Sequence, residues 1–325
     1  MKILVVDDEP LFCELIVAEL ANCGYHDVWL ANSGAEAMNR IHLASTPFDC
    51  ALLDIDMPGI DGVELCALLR SDPVTAAIPV IMVTSRSEME SVDKAFAAGA
   101  TDYLNKPINR LELQGRMTMA TGMTRERKAR EVLSSQNDQK EEYSFEDPCR
   151  LEIDYSCLDY LAMQNYVLKI GSMKLFSHTA IGFQLAYANE MFLALGSGGF
   201  RDTLSDVAEI IAESLTLNAA IISYAGSGGF IVLINRHPEI NMEDLTSQIE
   251  DKLLTLNSWY AELGQMPVRL DVGAPFVRGL ISLVTPLEVL EKALENTKNP
   301  VASLGGASIP GARAAGQARQ AGKFR

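Results

Sequence analysis

Ile3-Leu4-Val5-Val6-Asp7-Asp8-Glu9-Pro10 places an apolar, partly β-branched run directly before two acids, and the pattern returns at Ala51-Leu52-Leu53-Asp54-Ile55-Asp56. A short continuous apolar run that ends on polar residues reads as a strand buried on both faces, the kind found in parallel sheets. Working outward, comparable runs lie at Asp27 to Leu30, Val80 to Val83 and Asp102 to Leu104. Between the first two strands Phe12, Leu15, Ile16 and Leu20 recur at helical spacing, and Gly24 stands where a C-terminal cap belongs. Five βα units fit residues 1–120, which predicts a doubly wound, five-stranded parallel α/β domain.

In such a sheet ligands bind beyond the carboxyl ends of the strands. Asp7, Asp8, Asp54 and Asp56 stand at the ends of two strands, so three or four carboxylates are expected to converge at that edge. Converging carboxylates repel unless a hard cation offsets their charge, and an all-oxygen donor set suits Mg²⁺. Two other strand ends supply Thr84 and Lys106, a hydroxyl and an ammonium. A carboxylate nucleophile attacking phosphorus needs both, together with the metal, to carry the charge on the phosphoryl oxygens.

The segments VVDDEP, LLDIDMPGIDG, VTS and DYLNKPI resemble, in order and spacing, the receiver domains of two-component response regulators. The resemblance implies that Asp54 accepts a phosphoryl group and that Asp7 and Asp8 hold Mg²⁺, with Asp56 offering its backbone carbonyl. It further implies that Thr84 and Lys106 contact the phosphoryl group and that Tyr103 is an aromatic switch. A histidine kinase or phosphotransfer protein would be the donor, and a phosphorylation-dependent homodimer is expected.

Residues 121–144 carry no strand pattern and pass from an apolar stripe into charged sequence, which predicts a helical linker, although Gly115 and Gly122 weaken the helix. Residues 145–300 alternate strands and helices again, with strands expected at Ala180 to Tyr187, Ala220 to Tyr224, Phe230 to Ile234 and Val268 to Val272. Two apolar runs flanking Ala225-Gly226-Ser227-Gly228-Gly229 predict a hairpin, hence a second α/β domain with a mixed sheet. Residues 301–325 are rich in Gly, Ala and Ser with scattered cations, and are expected to be a disordered tail.

This second half resembles the GGDEF domain of diguanylate cyclases, a nucleotide-cyclase type of fold. Gly226-Ser227-Gly228-Gly229-Phe230 stands at that family's signature hairpin, Leu204 to Ala208 at its LxxVA helix and Val268 to Gly273 at its closing strand. Pro286 to Lys298 fits its last helix. In that register Gln184 replaces a metal-binding Asp, Phe192 and Leu193 replace nucleotide-binding Asn and Asp, and Gly229 replaces the signature Glu. Leu217-Asn218-Ala219-Ala220 takes the place of the product-binding RxxD. Without those carboxylates two-metal phosphoryl transfer has no ligands, so the domain is expected to be a non-catalytic module with an unidentified protein partner. The alternatives are an active, phosphorylation-controlled cyclase and a nucleotide-sensing module. The glycines also permit a loop whose amides cradle phosphate.

A formal net charge of −16, from 27 Lys and Arg against 43 Asp and Glu, argues against a nucleic-acid surface and against a DNA-binding transcription factor. No stretch approaches the ~20 apolar residues of a membrane span, which together with an N-terminus lacking a signal-peptide pattern points to the cytoplasm. The six cysteines include no CxxC pair and are expected to be mostly buried thiols.

Overall fold

The computed structural model describes residues 1–85, 89–136, 144–151, 153, 157–215, 220–235, 241–279 and 282–305. In the first half β1 (Lys2–Val6), α1 (Pro10–Asn22), β2 (Asp27–Ala31), α2 (Gly34–Leu43), β3 (Cys50–Asp54), α3 (Gly62–Ser71), β4 (Val80–Thr84), α4 (Met89–Ala97) and β5 (Asp102–Asn105) alternate without interruption. The sheet runs β2-β1-β3-β4-β5, every pair parallel, as the apolar runs require. Helix starts follow local chemistry. Pro10 opens α1, whereas the Ser33 and Asp61 side chains accept the amides of Glu36 and Glu64 and so cap α2 and α3.

Because side chains alternate across a strand, β1 feeds two cores. Ile3 and Val5 pack with Phe12, Ile16, Leu20, Leu113 and Met117 on one face. Leu4 and Val6 pack with Leu65, Leu69, Met82 and Phe96 on the other. Leu113 and Met117 belong to α5 (Arg110–Gln136), one helix that includes both the last helix of the first domain and most of the expected linker. Residues 137–143, the rest of that linker, lie outside the described residues.

The second half contains β6 (Cys157–Leu158), α6 (Tyr160–Leu175), β7 (His178–Leu185), α7 (Ala188–Glu213), β8 (Ala220–Gly226), β9 (Gly229–Asn235), α8 (Met242–Glu262), β10 (Leu270–Val272), β11 (Phe276–Val277), α9 (Pro286–Asn296) and β12 (Ala302–Leu304). Its sheet runs β12-β10-β7-β9-β8-β6, with β11 on β7. It is mixed, since β6 lies parallel to β8 while the other pairs are antiparallel. The four central strands follow a βαββαβ path, taken in the spatial order fourth, first, third, second. Ser227 and Gly228 turn the β8–β9 hairpin with φ of 52° and 80°, the left-handed pair that matches strand twist.

Two expectations are corrected here. The strand expected at Ala180 to Tyr187 begins at His178 and stops at Leu185, because Tyr187 adopts φ 58° at the start of α7. The tail does not begin at residue 301: the Val301 amide donates to the Val272 carbonyl, and Ala302–Leu304 pairs with β10. The rest of the tail, 306–325, and residues 217–219 at the expected RxxD position lie outside the described residues. Neither β6 nor α6 was expected. α6 is apolar on most of its circumference because it is covered from two sides, by its own domain and by α4 and β5 of the first.

Candidate functional site

Adjacency of β1 and β3, with Val6 paired to Leu53, carries the residues that follow them to one edge. Ligand oxygens of Asp7, Asp8 and Asp54 lie within 4.8 Å of one another there. Asp7 and Asp54 are buried, at 1% and 5% exposure. The Asp7 carboxylate also accepts the Glu9 amide at 2.9 Å, which fixes its direction as the chain leaves the strand. Behind Asp54 the chain folds back tightly, and a Cβ on Gly62 would meet the Asp54 carbonyl oxygen at 2.0 Å. Only glycine lets α3 start so close to the acid.

Lys106, one residue past β5, reaches into the cluster. Its Nζ lies 2.7 Å from Asp7 Oδ2 and 3.1 Å from Asp54 Oδ1. The Phe12 ring lies 4.0 Å beneath the ammonium, an apolar and π-rich floor that holds it in place. Burial pushes the Asp54 carboxyl up to about 6, with Asp7 and Asp56 adding to the rise and Lys106 opposing it. On Lys106 burial acts downward, but its bonds to Asp7 and Asp54 outweigh it and the ammonium is held more firmly charged. Three carboxylates against one ammonium leave an excess of negative charge in a poorly solvated place.

Thr84 ends β4, is fully buried and pairs in register with Asn105. The Thr84 carbonyl accepts the Lys106 amide at 2.8 Å, so the strand ends bearing the hydroxyl and the ammonium are tied to each other. Tyr103 is buried at 1% exposure, and burial chiefly pushes its phenol up to about 12. Of the three or four carboxylates expected to converge, those of Asp7, Asp8 and Asp54 do, while the Asp56 side chain is exposed and follows the end of β3 by two residues in a bend. All six cysteines are thiols, and Cys13, Cys50, Cys66 and Cys157 are buried.

In the second half the hairpin turn is closed by its own neighbours. Gln184 Nε2 donates to the Ser227 carbonyl at 2.8 Å, and the Gly228 amide donates to the Tyr224 hydroxyl at 3.0 Å. The Ser227 amide donates to the Phe145 carbonyl at 2.9 Å. Those two amides are therefore already used within the protein, which counts against the reading of Gly226 to Gly229 as a phosphate cradle. Gly228 and Gly229 lie against Ala188, Gln184 and Leu294, so the turn is packed rather than open. Phe192 packs its ring on Phe145 and Phe200. Sequence reasoning missed Phe12 as the floor of Lys106, and also the α6 residues that touch Tyr103, since both depend on tertiary contacts.

The family model for the response regulator receiver domain matches residues 3–118. The signal transduction histidine-protein kinase BarA of Escherichia coli K12 is 40% identical over 108 residues, 33% of this chain and 11% of BarA. The DNA-binding dual master transcriptional regulator RpaA of Synechocystis is 35% identical over 116 residues, 36% of this chain and 47% of RpaA. The chain thus spans less than half the length of either relative. Among solved structures, a response regulator from Chloroflexus aurantiacus has 35% identity and a TM-score of 0.35, covering 37% of this chain and 95% of its own. Chemotaxis protein CheY4 of Vibrio cholerae has 29% identity and a TM-score of 0.34, covering 37% and 97%. The acids, hydroxyl and ammonium gathered at the strand ends lie within the stretch that the family model spans, and residues 3–118 are a response regulator receiver domain.

Proposed function

We propose that the chain is a response regulator of a phosphorelay, phosphorylated on Asp54 by a histidine kinase or phosphotransfer protein. The observation that carries this reading is the buried cluster of Asp7, Asp8 and Asp54 with Lys106 bridging two of them. The donor set fits Mg²⁺, held by Asp7, Asp8 and Asp54 with the Asp56 carbonyl, and the cation would supply the charge neutralisation that a phosphoryl group needs. An Asp54 oxygen attacks phosphorus, the phosphorus–nitrogen bond of the donor phosphohistidine breaks and the imidazole takes up a proton. The product is an acyl phosphate. Lys106 exchanges its hold on Asp54 for the phosphoryl oxygens, and the Thr84 hydroxyl donates to another of them.

We read the second domain as a degenerate GGDEF-like output module of nucleotide-cyclase type, non-catalytic and acting through a protein partner. Its strand order and its β8–β9 hairpin are compatible with that fold, and Gln184 spends its amide on the hairpin carbonyl where a cyclase would present a carboxylate. RpaA is called DNA-binding; for this chain the acidic balance favours no nucleic acid. No helix among the described residues is long and apolar enough to cross a membrane, and a cytoplasmic location accords with phosphorelay chemistry. Borohydride reduction after treatment with a small acyl-phosphate donor should mark Asp54, and modification of a different acid would overturn the assignment. Phosphorylated protein given GTP and Mg²⁺ or Mn²⁺ should yield no cyclic di-GMP. Steady production would reinstate the cyclase, and tight GTP binding without turnover would favour the nucleotide sensor.

A further inference from the structure

The first turn of α1 is stitched to the acidic cluster. Pro10 opens the helix, the Glu9 amide donates to Asp7 Oδ1 at 2.9 Å and the Cys13 thiol donates to the Asp7 carbonyl at 3.4 Å. Phe12 stands within this turn, is 9% exposed and packs with Ile3, Val5 and Ile16, so its ring is set by the helix start and by the core below it. The Lys106 ammonium lies over that ring, 4.0 Å from its centroid, with Asp7 Oδ2 and Asp54 Oδ1 at 2.7 and 3.1 Å.

The Lys106 side chain is only 13% exposed, so its ammonium has exchanged most of its water for these three neighbours. They are not equivalent during phosphoryl transfer. As the phosphorus of the donor nears Asp54, negative charge gathers on the phosphoryl oxygens, and the ammonium must turn toward them and give up its hold on the acceptor carboxylate. An aromatic face attracts a cation through its quadrupole yet carries no formal charge. It keeps the ammonium in the site without repelling the incoming phosphoryl group, as a further carboxylate would, and without leaving the charge unsolvated, as an aliphatic side chain would.

We propose that Phe12 is a positioning residue for phosphoryl transfer to Asp54, its ring face holding the Lys106 ammonium while that ammonium passes from the Asp54 carboxylate to the phosphoryl oxygens. The inference rests on Asp54 being the acceptor. The transfer itself is unchanged, an Asp54 oxygen gaining the bond to phosphorus that the donor loses, and Phe12 acts on it through Lys106. Packing at this place depends on the size of the ring, whereas positioning of the ammonium depends on the electron density of its face. The two roles are therefore separable.

The full chain carrying mono-, di- or trifluorinated phenylalanine at position 12 tests the proposal, because fluorine withdraws electron density from the ring face and changes its volume little. With Mg²⁺ and an acyl-phosphate donor, the rate of Asp54 labelling should fall stepwise with each fluorine. The trifluorinated chain and Phe12→Leu should be about 3- to 30-fold slower than wild type, the range that loss of a cation–π contact implies. A second measurement needs neither metal nor donor: in the NMR spectrum of the Mg²⁺-free protein the ring should displace the Lys106 side-chain signals upfield, and Phe12→Leu should abolish that displacement. A rate that stays constant across the fluorinated series overturns the proposal and leaves Asp54 as the acceptor, even if Phe12→Leu is slow, since packing alone would then account for the residue. Lys106 signals that Phe12→Leu does not move overturn it as well. Wild type that takes no label, or takes it on another acid, overturns both the positioning role and the assignment of Asp54.

Discussion

Asp102 illustrates how a single buried carboxyl sets a pH dependence. It is 2% exposed, meets Arg116 at 2.9 Å and accepts the Tyr103 amide at 2.8 Å, yet burial pushes it up to about 6 despite these partners. The folded state therefore holds this proton more tightly than the unfolded chain does. Below about pH 4 both states are protonated and the group costs nothing; between about 4 and 6 ionisation costs progressively more, and above about 6 the cost is complete. The stability of wild type relative to Asp102→Asn should accordingly be greatest near pH 4 and shrink toward neutrality, read from urea midpoints. A gap that widens with rising pH would mean that the Arg116 ion pair dominates. At this scale the sequence displayed Asp7, Asp8, Asp54, Thr84 and Lys106, because each stands within two residues of the end of an apolar run. Phe12 beneath Lys106 and Arg116 beside Asp102 were not legible, since neither contact follows from neighbours in the chain.

Glycine has opposite uses in two elements. In β7 a Cβ on Gly182 would lie 2.1 Å from the Ala293 carbonyl oxygen of α9, so helix and sheet meet backbone to backbone. Gly182→Ala should destabilise the second domain by about 1–3 kcal/mol, the usual cost of overpacking, seen as a lower urea midpoint. In α5 the Cβ positions of Gly115 and Gly122 meet nothing within 4 Å. Gly115→Ala or Gly122→Ala should stabilise the chain by up to about 1 kcal/mol through helix propensity alone. Equal effects at all three sites would contradict this packing. The strands of the receiver and the β8–β9 hairpin were readable from apolar runs and turn glycines. β12 was not, because Ala302-Ser303-Leu304 has no strand signature of its own and owes its conformation to pairing with β10. α6 escaped notice because an all-round apolar stretch interrupted by Gly171 displays no single face.

For the whole molecule, α6 packs against the receiver and the long α5 runs on from it toward the second domain. The proposed response-regulator role predicts that phosphorylation alters assembly: sedimentation across a wide concentration range should find more dimer with beryllofluoride than without it. Superimposable profiles would contradict a phosphorylation-dependent homodimer. That effect requires that Asp54 accept a phosphoryl group with the help of a divalent cation, and that claim has its own direct measurement. Wild type and Asp54→Asn are incubated with a small acyl-phosphate donor, with Mg²⁺ or with chelator, and incorporation of a phosphoryl group is followed over time by intact mass. Wild type with Mg²⁺ should gain one acid- and base-sensitive phosphoryl group, while chelated wild type and Asp54→Asn remain unlabelled. Labelling of Asp54→Asn at the wild-type rate, or full labelling without a divalent cation, would contradict the account.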